Sequence, residues 1–163
     1  MDPPTRSVRV PSALGTLELA LPEGERLVPD AGVPDGEMLV WAPAPELGGF
    51  SVSHGPAAGR RAEDLLALER GFADAVEVDE QSGGERELCL RVETHEGRDL
   101  IEDEAGNRSA LPERVRQERL RFRFWEDGDE ALRVGYRIDE SAPGDLRAAF
   151  DRLTDSARLE RPR

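Results

Sequence analysis

The stretch LRFRFWEDGDEALRVGYRI, residues 120–138, decides how this chain is read. Leu120, Phe122 and Phe124 alternate with Arg121 and Arg123; Leu132, Val134, Tyr136 and Ile138 alternate with Arg133, Gly135 and Arg137. A period of two marks a strand with one buried face. Asp127-Gly128 between the runs is a hairpin signal. If both apolar rows share a face, the loop must have odd length, as in Asp127 to Asp129, or carry a bulge. Phe124 is then expected opposite Leu132, and Phe122 opposite Val134.

The same register sets Arg123 against Arg133 and Arg119 against Arg137, with Arg121 between them. Like charges opposed across a sheet cost a few tenths to about 1 kcal/mol. Arg119, Arg121, Arg123, Arg133 and Arg137 therefore form the candidate partner-binding strip. An acidic segment of another protein would satisfy it through guanidinium forks. The chain's own carboxylates are the competing source of charge.

Working upstream, Leu88, Leu90 and Val92 alternate with Cys89, Arg91 and Glu93, which reads as a strand with Cys89 turned outward. Arg98 to Ile101 is expected to pair back across Glu96-Gly97, and residues 102–113 to form an acidic, irregular excursion. Leu65, Leu68, Phe72 and Val76 recur at spacings of three and four, predicting an amphipathic helix from Ala62 to Val76 with Gly71 tolerated inside it. Met38 to Trp41, apolar on both faces, reads as a central strand, and Phe50 to Ser53 as the next. Leu17, Leu19 and Leu21 alternate with polar or small residues, and Arg26 to Val28 is a short strand. Residues 1–14, with Pro3, Pro4 and Pro11, read as a flexible lead-in. Downstream, Ser141 is the expected N-cap, with Pro143 in the first turn of a helix striped by Leu146, Phe150, Leu153 and Ala157. Residues 160–163 read as a frayed, weakly basic tail.

This order predicts one α+β domain over residues 15–159, an antiparallel sheet packed with two amphipathic helices around one core. The helices are expected to pack through Leu65, Leu68, Phe72, Leu146, Phe150 and Leu153. Leu19, Val40, Leu90, Phe122, Phe124, Val134 and Tyr136 complete the predicted core.

Composition narrows the function. The 163 residues carry 35 acidic and 22 basic side chains, all of the latter Arg, for a net charge of −13. Such a surface repels nucleic acid and anionic membrane. No run approaches the roughly 18 apolar residues of a membrane-spanning helix, and no signal-like apolar stretch stands near Met1, so a cytoplasmic location is expected. One cysteine, Cys89, closes no intramolecular disulfide.

The chemistry-bearing residues make no complete motif. Ser51 and Ser53 neighbour His54, but without the elbow of a nucleophile, and strand neighbours alternate faces. His54, His95 and Cys89 match no short zinc pattern. The carboxylates of Glu102 to Glu104 and of Glu126, Asp127, Asp129 and Glu130 lack the order of a calcium loop and read as solvated turns. Gly48-Gly49 and Gly83-Gly84 lack a phosphate-loop continuation. No catalytic, metal-binding or cofactor-binding residue is assigned. A small hydrolase using His54 or His95 stands as the alternative to a binding protein.

Several segments resemble the PsbP-like fold, in particular the bacterial DcrB and LpqN group. Leu17-Glu18-Leu19-Ala20-Leu21-Pro22-Glu23-Gly24 resembles the opening strand and turn of that group. The helix from Ala62 follows a strand pair as it does there. Leu132 to Tyr136 and Phe150 to Leu159 resemble the final strand and helix. The resemblance spans about Gly15 to Leu159 and implies a non-enzymatic protein. Relatives of that fold include lipoproteins, photosystem subunits, a Ran-binding import factor and Eag-type chaperones of secretion effectors. No lipobox cysteine stands near Met1, which departs from the lipoproteins, and the Arg-rich strands depart from chaperones with an apolar sheet face. The resulting expectation is a non-catalytic cytoplasmic adaptor or chaperone for another protein, such as a secretion effector. A structural subunit of a larger assembly is the other reading, and a homodimer is compatible with either.

Overall fold

The structure, a computed structural model, describes residues 3–33, 37–80, 86–96, 100–110 and 114–162. In chain order its elements are β1 (Thr5–Ser12), β2 (Gly15–Pro22), β3 (Val28–Pro29), β4 (Met38–Trp41), β5 (Gly48–Pro56), α1 (Ala62–Phe72), β6 (Ala75–Glu80), β7 (Arg86–Glu96), β8 (Leu100–Glu102), β9 (Arg108–Ala110), β10 (Arg114–Asp127), β11 (Glu130–Asp139), α2 (Gly144–Ser156) and β12 (Arg158–Glu160). Seven strands form the main sheet in the order β3-β4-β5-β11-β10-β7-β6; β1-β2-β12 form a small sheet and β8-β9 a hairpin. Every strand pair is antiparallel, so the α+β class holds.

The register of the 120–138 hairpin differs from the expected one. Asp127 pairs with Glu130 across a two-residue turn, and Phe122 lies opposite Gly135, Arg123 opposite Val134, Phe124 opposite Arg133. Gly128 supplies the positive φ, +61°, that such a turn favours. The two apolar rows therefore face opposite sides of the sheet. An even turn is ruled out only if one face alone is buried, and here both are. Leu120, Phe122 and Phe124 join Leu88, Leu90 and Val92 of β7 beneath Ala62 and Leu65 of α1. Val134, Tyr136 and Ile138 join Phe50 and Val52 of β5 beneath Phe150 and Leu153 of α2 and Leu17, Leu19 and Leu21 of β2. The single expected core is thus two apolar layers with the sheet between them.

Other differences have local causes. Residues expected as a lead-in form β1, which pairs along β2 and buries Val10, while Leu14 is buried in the turn between them. Glu160 belongs to β12, paired with Thr16. Helix α1 stops at Phe72, and Val76 lies in β6, opposite Val92. Its buried positions are Ala62, Leu65 and Glu69, whereas Leu68 is 54% and Phe72 79% exposed. Val40 is only half-buried, while the other six predicted core residues are buried. Residues 100–102 pair with 108–110, not with β7, so part of the expected irregular excursion is a hairpin; of the expected turn at Glu96-Gly97, Glu96 ends β7 and Gly97 lies outside the described residues. Ser141 gives its hydroxyl and N–H to Asp139, and Pro143 occupies the N-cap of α2.

Candidate functional site

Side-chain alternation places Arg119, Arg121 and Arg123 on the side of the main sheet that carries α2, and Arg133 and Arg137 on the side that carries α1. The five guanidiniums are not one strip, and the predicted repulsion of Arg123 by Arg133 and of Arg119 by Arg137 does not arise. Across β10 and β11 each of these arginines faces an apolar or aromatic residue instead, because the two apolar rows are out of phase; Arg119 faces a like charge, Arg91, on β7.

Arg121 is the most heavily engaged. It reaches Glu87 at 2.7 Å, Asp151 at 3.1 Å and Asp155 at 2.5 Å, tying β7 to successive turns of α2. Burial works against its charge, but the three carboxylates outweigh that and hold the guanidinium above its ordinary pKa. Asp151 also accepts the Tyr136 hydroxyl at 2.6 Å. Burial, then this contact, pushes the Tyr136 phenol up. Arg123 donates to the Thr154 and Ala157 carbonyls at 2.8 and 3.0 Å, which meets the negative end of the α2 dipole, and lies over the Trp125 ring at 4.9 Å. Arg119 approaches Glu140 at 3.6 Å.

On the opposite side, Arg137 pairs with Glu69 at 2.7 Å and Glu118 at 3.1 Å. This explains the buried Glu69: it takes a core position on α1 to meet a cation from the sheet. Arg133 lies over the Phe122 ring at 5.3 Å. The pattern Ala62, Leu65, Glu69, Ala73 carries the true inner stripe, and the sequence reading passed over it in favour of the more apolar Leu68 and Phe72.

Two grooves open on the α2 side, one along that helix and one beyond it. One, of about 260 Å³, is bordered by Cys89, Arg121, Tyr136, Arg147, Asp151 and Asp155. The other, of about 430 Å³, is lined by Glu77, Arg91, Glu93, Gln117, Arg119 and Glu140. Most of this lining is already matched within the chain: Arg91 with Asp79 at 3.3 Å, Gln117 with Glu93 at 3.3 Å.

The nucleophile candidates are dispersed. His54 aligns through Leu132 with Trp125, whereas His95 aligns with Val115. Ten positions along β10 separate these rows, roughly 33 Å at strand spacing. Ser51 and Ser53 lie on the opposite sheet face from His54. Cys89 hydrogen-bonds Glu87 at 3.6 Å. Burial, then Glu87, pushes its thiol up to about 11, the reverse of activation. Among the described residues no group of three or more His, Cys, Asp or Glu side chains is placed to hold a metal, and no helix is long and apolar enough to cross a membrane.

The most exposed apolar surface is elsewhere. Leu68 and Phe72 are exposed one turn apart on α1; Phe72 ends that helix, two residues short of β6, whose Val78 is 36% exposed on the side of the sheet that carries α1. β6 is the end strand, and no described strand pairs with its outer edge. The chain matches no family model and no curated protein.

Proposed function

We propose that this chain is a non-catalytic protein-binding module that receives an extended segment of its partner on β6, against Leu68 and Phe72. The observation that carries this reading is the coincidence of a free sheet edge with two exposed apolar side chains. Strand addition takes its affinity from backbone hydrogen bonds and its selectivity from alternate side chains. Along β6, Val76 and Val78 alternate with Glu77 and Asp79. A matching segment alternates apolar and basic residues, and the net charge of −13 favours its approach. Self-pairing of two β6 edges would oppose their acidic residues, so a different chain is the better occupant.

The arrangement supports an edge mode over the arginine strip, whose members have partners within the chain or lie on separate faces. The dispersed histidines and the high-pKa thiol argue against the hydrolase reading. A chaperone or adaptor role accords with the resemblance of the sequence to the PsbP-like fold.

A labelled protein titrated with an alternating Val-Lys decapeptide tests the proposal. Amide shifts are expected along β6 and the end of α1, lost in the Leu68→Ser, Phe72→Ser double variant and absent with a Val-Glu peptide. Shifts outside that region, or equal shifts with both peptides, would overturn it.

A further inference from the structure

Arg133 is half-buried but unmatched. Its Nε is shielded from solvent and has no acceptor. No hydrogen bond or ion pair joins the side chain to any described residue, although the chain has 35 carboxylates. The other four arginines singled out on β10 and β11 all reach oxygens of this chain.

Its surroundings leave it no partner to recruit. Ser53, directly across on β5, accepts a hydrogen bond from Arg60 Nε at 3.1 Å. Arg60 is also held by the Pro56 carbonyl at 3.0 Å and Glu37 at 2.8 Å. It rests against Gly55, where an added Cβ would stand 3.0 Å from its Cζ. A second guanidinium is therefore fixed beside the first. Burial, then the charge of Arg60, lowers the pKa of Arg133, and the smaller opposing effect of Glu69 does not offset them.

Arg60 is met by Glu37, and Arg137 by Glu69 and Glu118, whereas no carboxylate of the described residues reaches Arg133. We propose that Arg133, with Arg60 beside it, is a binding site for a single carboxylate, which would occupy the free guanidinium fork. A planar carboxylate matches the two parallel N–H groups of a fork, and a partly desolvated setting strengthens such a contact. The site is separate from the β6 edge and stands independently of the function proposed above.

The carboxylate can come from a free small acid or from an acid presented on a polypeptide, and the test separates these sources. Acetate, and a neutral tripeptide with one free C-terminal carboxylate, are each titrated at constant ionic strength against the ¹⁵N signals of Arg133 Nε and the 131–137 amides. Both should give saturable shifts that chloride at the same ionic strength does not. Comparable affinities indicate a small-acid site; a tripeptide at least tenfold tighter indicates a presented carboxylate. Arg133→Met should abolish the response. Arg133→Lys, which keeps the charge without the fork, should weaken it at least tenfold and serves as the readout if the Met variant does not fold. Shifts equal in chloride and acetate, or unchanged in Arg133→Lys, would overturn the proposal.

Discussion

On the α2 side of the main sheet each of the three arginines from β10 ends on an oxygen of the chain, whereas on the α1 side Arg133 ends on an aromatic ring. The difference follows from what covers each side. Helix α2 offers Asp151, Asp155 and its C-terminal carbonyls to the strands below. Helix α1 offers Glu63, which pairs with Arg86, and Glu69, which pairs with Arg137, and it directs Leu68 and Phe72 outward. One side is electrostatically closed. The other keeps a cation and an apolar pair for something the chain does not itself supply. An arginine-rich strand is thus no sign of a binding surface until its partners are counted.

The largest effect that would sharpen this contrast lies within α1. Leu65, 5% exposed in the inner layer, should cost about 2–3 kcal/mol when changed to Ala, read from urea unfolding. A cost below about 1 kcal/mol would mean that α1 does not rest on its inner stripe. The next effect concerns the closed side, where the charge of Arg121 is taken up by carboxylates and fails to activate the neighbouring thiol. Alkylation of Cys89 should rise only as pH approaches about 11. At pH 8 it should run about a hundredfold slower than for a thiol of pKa 9, since only the thiolate reacts. A rate that levels off near pH 8 would show that Arg121 has charge to spare. The smallest effect is the most pointed: Phe72→Ala should change stability by no more than about 0.5 kcal/mol, because the side chain is mostly in water. A loss near that of Leu65→Ala would place Phe72 inside the fold and remove the apolar pair from the open side.

Much of the architecture was legible in the sequence. β2, β7, β10 and β11 each bury one face, so alternation exposed them, and Phe150 and Leu153 of α2 announced their helix by spacing. The register of 120–138 was not legible, because alternation within each strand does not say whether two rows share a face. That depends on α1 and β2, distant elements that cover opposite sides. β1 was obscured by Pro11 and by Arg6, which takes an inner-face position in phase with Val8 and Val10. The inner stripe of α1 was misread because hydrophobicity ranks Leu68 and Phe72 above Glu69, and only the pairing with Arg137 draws a glutamate inside. For the candidate site, the arginines were visible in the sequence but their partners were not. Arg60, Glu37 and Asp151 lie far from them along the chain.

The claim that one side of the sheet is closed and the other open is tested most directly by a matched pair of substitutions, Arg121→Met and Arg133→Met, compared by urea unfolding at pH 7. Removing Arg121, 18% exposed, leaves Glu87, Asp151 and Asp155 without their shared cation and should cost about 2 kcal/mol after allowance for the exposure of Asp155. Removing Arg133 relieves an unpaired, partly buried charge and should leave stability unchanged or raise it by up to about 1 kcal/mol. Losses of similar size in both variants would show that Arg133 is neutralised within the chain, and would contradict the account.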